Sequence, residues 1–211
     1  MKPRILAWLA ALALALLAYG LLAAPPGPRS LRSFEPDRMA DLEVGMWKAY
    51  YAKERLRLFL LLASMLREQY RYPWSTALRE GHHLGRAAST FGDLKGGYDK
   101  VIPDLEKGYA TARAWTGAGF DPGALARAEL SWWVARRIPG EDRPEHVAEL
   151  MAGAYSILYE APRAAVARAA LLRAQAAALR DRQEARPDWP AIGALLRESY
   201  RDLHRGLNGA R

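Results

Sequence analysis

From Ile5 to Ala24 the chain carries no charged side chain, and almost every residue is Leu or Ala. As a helix rising about 1.5 Å per residue, this run is roughly 30 Å long, the thickness of a bilayer's hydrocarbon core. Lys2 and Arg4 precede it, and Pro25, Pro26 and Pro28 end it. Two readings compete. The whole run can be a transmembrane anchor. Alternatively Ile5 to Leu17 is the apolar part of a secretory signal, with Ala18-Tyr19-Gly20 supplying the small residues at its cleavage point. Length favours the anchor.

Either reading places the rest of the chain in the cell envelope. Lys2 and Arg4 on one side nearly balance Arg29, Arg32 and Arg38 on the other, so the charge rule for orientation is close to a tie. The short basic start resembles an ordinary export signal. The expectation is a single-pass protein of the cytoplasmic membrane, held through Ile5–Ala24, with its main domain on the periplasmic or extracellular side.

The chain divides into an anchor or signal (1–24), a Pro/Gly linker (25–35) and a helical domain (36–211). The linker reads as extended and stiff, holding the domain near the membrane. The domain is expected to be all-α, about seven packed helices, with no run alternating in the manner of a strand. The first helix is expected from Pro36 to about Gln69, with Met39, Leu42, Met46, Trp47, Leu58, Leu61 and Met65 at helical spacing. A second opens at Pro73, and its Gly81, Gly85 and Ala88 let a neighbour approach closely. Others begin near Pro103, at Asp121-Pro122, at Pro144 and after Pro162, and Asp188 caps the last. "LEVGMW" and "AELSWW" both place a Glu four residues before a Trp, too small an echo to establish a repeat.

The 211 residues include seven Trp and ten Tyr, ample material for a core, and no Cys. Disulfides, thiol catalysis and thiolate metal sites are thereby excluded. The net charge of +8 suits an acidic partner or an anionic lipid surface. No nucleic-acid-binding module, phosphate loop or nucleophile elbow is present, and the arginines from Arg163 to Arg180 are scattered around their helix.

Glu43 and Glu129 carry the clearest chemical signal. Each lies among apolar neighbours with no cation three or four residues away on its own helix. A buried, unpaired carboxylate is costly, so each must find a partner on another helix or keep a proton. Glu54 falls on nearly the same side of the expected first helix as Glu43. These three acids form a candidate polar pocket, or simply interhelical ion pairs with Arg136, Arg137 or the arginine row Arg163, Arg168, Arg173 and Arg180. Glu80-x-x-His83 supplies one half of a di-metal carboxylate pattern, but a second Glu-x-x-His is missing, so no metal or other cofactor is expected. Trp47, Trp74, Trp132 and Trp133 are candidate interface aromatics. The function these features suggest is a non-enzymatic accessory, scaffold or binding subunit with a protein partner. A small envelope enzyme or ligand-binding domain built on Glu43 and Glu129 is the alternative.

Overall fold

The computed structural model describes residues 3–183 and 186–209, apart from the side chains of residues 3, 4 and 6. Lys2, used above to argue orientation, lies outside the described residues, as does the Arg4 side chain. The described chain is all-α, with nine helices and no strand: α1 (Pro3–Leu22), α2 (Pro36–Tyr51), α3 (Arg55–Tyr70), α4 (Trp74–Asp93), α5 (Ile102–Thr116), α6 (Pro122–Ala135), α7 (Pro144–Tyr159), α8 (Arg163–Arg182) and α9 (Trp189–Asn208). A 3-10 turn, Tyr98–Val101, leads into α5.

The expected long first helix is two antiparallel helices, which makes eight in the domain. The reversal at Ala52-Lys53-Glu54 contains neither Gly nor Pro. Lys53 adopts φ 59°, in the left-handed region. The Glu54 amide donates to the Ala49 carbonyl, and the Lys53 amide to that of Tyr50. That pair of bonds is the Schellman arrangement, which satisfies carbonyls otherwise left open at a helix end. Helical periodicity continues through the turn because the apolar face of α3 packs back onto that of α2.

The helices follow one another around the domain. Each packs on the next in sequence from α2 to α9, and α9 returns against α2, closing a ring. Its two halves echo each other. α3 and α7 each have 16 residues, and each ends in a tyrosine followed by a non-glycine residue in the left-handed region, Tyr70-Arg71 and Tyr159-Glu160. α4 and α8 each have 20 residues and follow a proline, Pro73 or Pro162. Glu43 and Glu129 occupy the same position relative to the opening prolines of α2 and α6, Pro36 and Pro122. The small Glu–Trp echo in the sequence is therefore one part of a tandem arrangement, α2–α5 and α6–α9.

α1 stands apart from the ring. All its described side chains, Ile5 and residues 7–22, are exposed, and its main helical neighbour is α4. No helix among the described residues is long and apolar enough to cross a membrane, so the expected transmembrane span has no support from the fold.

The Pro/Gly segment is more than a tether. Leu31 and Phe34 are buried in the ring's core. Arg32 donates to the carbonyls of Tyr159 and Leu207, Arg71 donates to that of Pro26, and the Arg29 guanidinium lies 3.8 Å from the centre of the Trp115 ring. Gly27 passes this strap at φ 118° hard against the Arg71 side chain, a course a residue with a Cβ would take only under strain.

Candidate functional site

The middle of the ring is polar. Glu43 is 1% exposed on the inner side of α2. Arg173 of α8 meets its Oε1 from Nε at 2.8 Å and from a terminal nitrogen at 2.7 Å, and the Tyr200 hydroxyl of α9 donates to Oε2 at 2.7 Å. Both carboxylate oxygens are thus occupied. Burial works against a charge on Arg173, but Glu43, with Tyr155 and Tyr200, outweighs it and holds the guanidinium above its ordinary pKa. Arg173 also lies 5.1 Å from the centre of the Trp132 ring and contacts the Met151 sulfur. The i, i+4 neighbours of Glu43 could not have revealed this partner, which is 130 residues away.

Glu129 occupies the corresponding place on α6 without a direct cation. Its Oε1 accepts from Trp133 Nε1 at 3.0 Å. Burial raises its pKa, opposed by the more distant Arg173 and by nearby Trp132, Trp133 and Tyr109. The Trp132 Nε1 is itself buried and makes no properly directed hydrogen bond.

Between these acids runs a row of tyrosines. Gln69 of α3 donates across the ring to the Tyr159 hydroxyl of α7 at 2.8 Å. Burial pushes Tyr70, Tyr109 and Tyr159 up, and Tyr155 up to about 12, so the row stays neutral at any ordinary pH.

Glu80 of α4 is the residue the sequence undersold. Only its spacing to His83 drew attention, yet its side chain turns inward and is 0% exposed. The Tyr72 hydroxyl donates to Oε2, while Oε1 has no partner. Burial raises its pKa to about 8, with Tyr72 and then Arg79 pulling the other way. Tyr72 follows the helix-ending Arg71, whose left-handed backbone swings the chain inward at that point. Full burial of an acid without a cation has no signature in a helical pattern, because Glu80 immediately precedes Gly81, whose spacing to Gly85 reads as packing. Gly81 does pack, against Phe59 and Ala63 of α3.

The other expected site residues disperse. Glu54 is a correction: it lies exposed at the α2–α3 turn, paired with Arg57 at 2.8 Å, because the helix expected to carry it beside Glu43 ends there. His83 points to Asp104 on α5, away from Glu80. Among the described residues no three His, Asp or Glu side chains gather as a metal site. Trp132 is inside the ring, and Trp47, Trp74 and Trp133 are partly buried against the core rather than displayed. Of the α8 arginines, Arg168 pairs with Glu198 and Asp202, Arg173 with Glu43, and Arg180 stacks on Tyr51 at 3.3 Å.

Two surface depressions among the described residues are lined without any of Glu43, Glu80, Glu129 or Arg173. One, of about 240 Å³, lies between α6 and α7 beside Ser131, Glu149 and Arg163. The other is a shallow trough on α3 along Leu56, Leu60 and Ser64. No protein-family model, curated protein or solved structure matches this chain.

Proposed function

We propose that the chain is a non-enzymatic accessory, scaffold or binding subunit of the cell envelope, attached to the cytoplasmic membrane through α1, with its helical ring on the periplasmic or extracellular side. One observation carries this reading. A 20-residue helix with no charge after Arg4 keeps every described side chain out of the ring's core. Contiguous apolar surface on this scale marks a membrane or protein contact, since leaving it in water forfeits about 25 cal/mol per Å². The strap adds a second support. It fastens α1 to the ring through Arg29, Arg32 and Phe34, so that whatever holds α1 also positions the ring.

The polar middle fits the non-enzymatic part of the reading. Its strongest charges, Glu43 and Arg173, are spent on each other, and the two depressions described above are not lined by either of them. The alternative, a ligand-binding ring, draws on one feature: Glu80 Oε1 and Trp132 Nε1 are interior polar atoms left without partners.

The test is purification of the full chain from native membranes in mild detergent. The proposal expects a full-length chain in the membrane fraction, accompanied by a stoichiometric protein partner. A chain found only as a soluble species without its first twenty or so residues would contradict the anchoring. A full-length chain that elutes alone, with small-molecule binding abolished by Glu80→Gln, would favour the alternative.

A further inference from the structure

The two most deeply buried acids of the ring are treated in opposite ways. Glu43 accepts hydrogen bonds from Arg173 Nε and from the Tyr200 hydroxyl and is ion-paired with the same guanidinium. Glu80 is as deeply buried, receives one neutral donor and touches no cation. A carboxylate in that setting cannot recover the hydration it gives up; a neutral carboxylic acid can reside there at modest cost.

We infer that Glu80 holds a proton in the assembled ring, and that loss of this proton loosens the seam that α4 makes with α3 and α5. The seam is narrow at this level. Gly108 of α5 faces Glu80 and Leu84 so closely that a Cβ there would stand 2.5 Å from a Leu84 methyl and 3.8 Å from Glu80 Cγ. On the other side, Gly81 lies against the α3 backbone at Ala63. Neither side has room to bring water to a new charge unless the helices part.

The groups facing Glu80 do not supply a counter-charge. α3 offers Tyr70, and the segment after it Tyr72. α5 offers Tyr109, and α6, behind it, Glu129. All three tyrosines are pushed further toward neutrality by Glu80 itself. On α4, Arg79 is directed to solvent and acts only at a distance, and His83 faces Asp104. The 3-10 turn meets α4 at Phe91, about three turns away, and the only ionisable described side chain of α1, Tyr19, is exposed.

The direction of the pH effect follows. The pKa is about 4.5 in the open state and about 8 in the closed one. Closure is therefore favoured most below pH 4.5, weakens as pH rises between these values, and loses nothing more above about 8. The experiment is amide hydrogen exchange of the full chain in detergent from pH 5 to pH 9.5, corrected for intrinsic exchange. The opening constant of α4 and α5 amides should rise up to about tenfold per pH unit and flatten above about pH 8, while Glu80→Gln shows no such rise. Equal slopes in both proteins, or a flat wild type, would overturn the inference. Should Glu80→Gln fail to fold, infrared spectroscopy of the wild type decides. The carbonyl band of a neutral, buried carboxylic acid is expected at pH 7 and absent at pH 9.5, and its absence at pH 7 overturns the inference. The inference is independent of α1 and of any partner.

Discussion

Arg173 and Glu43 join α8 to α2 inside the ring, with two guanidinium nitrogens within 2.8 Å of one carboxylate oxygen and Tyr200 on the other. Breaking a buried pair by removing one member leaves the other charge stranded. Glu43→Gln is expected to lower stability by about 3 kcal/mol, and Arg173→Met by a similar amount. Replacing both, Glu43→Met with Arg173→Met, should recover most of that loss. Urea unfolding of the four proteins measures the coupling. Additive losses would mean that the pair contributes little.

Among the described residues, Tyr72 provides the only donor to Glu80. Tyr72→Phe should cost about 1–2 kcal/mol and raise the Glu80 pKa further, because the lost hydrogen bond was lowering it. The window over which stability falls with pH then extends above pH 8. Thermal unfolding at pH 6, 8 and 9.5 reads both effects. An unchanged pH profile would mean that the hydroxyl does not act on the acid.

α8 and α9 approach closely at Gly206, where a Cβ would collide with the Ala165 carbonyl oxygen. Gly206→Ala must push the helices apart, at a cost of about 1–3 kcal/mol or more. Gly96→Ala, with nothing within 4 Å of its added methyl, should be near neutral. Differential scanning calorimetry of the pair separates overpacking from a general intolerance of substitution.

Phe34 on the strap is 1% exposed and packs edge-on to Tyr200 and His204. Phe34→Ala is expected to destabilise by about 3–5 kcal/mol. Arg29→Ala, which removes only the contact over Trp115, should cost under about 1 kcal/mol. Guanidinium titrations of the two variants test this order. Equal, negligible effects would return the segment to the role of a loose tether.

Much of the ring could be read from the sequence because its helices announce their starts. Asp121 accepts from the Ala124 amide and Asp188 from that of Ala191, each just before a proline in the first turn. Pro36, Pro103 and Pro144 mark other starts in the same way. The α2–α3 reversal could not be seen because a lysine takes the backbone conformation that glycine usually signals. For the same reason Glu54 was assigned to the wrong surface. The burial of Glu43 follows from its apolar neighbours, and its partner comes from the arginine row the sequence offers; that Arg173 is the one is set by the closing of the ring. The strap's Leu31 and Phe34 and the inward turn of Glu80 depend on contacts between distant segments, which helical spacing does not encode.

The most direct measurement of the central proposal is membrane flotation of the full chain, wild type beside Leu12→Arg/Leu16→Arg, with intact mass determined for every fraction. Leu12 and Leu16 are exposed on α1 and touch no part of the core, so the ring should fold in both proteins, as circular dichroism will report. The account predicts that the wild type floats at full length and resists high salt, while the double variant stays in the soluble fraction. A full-length wild type that does not float, or a variant that floats equally well, would contradict attachment through α1.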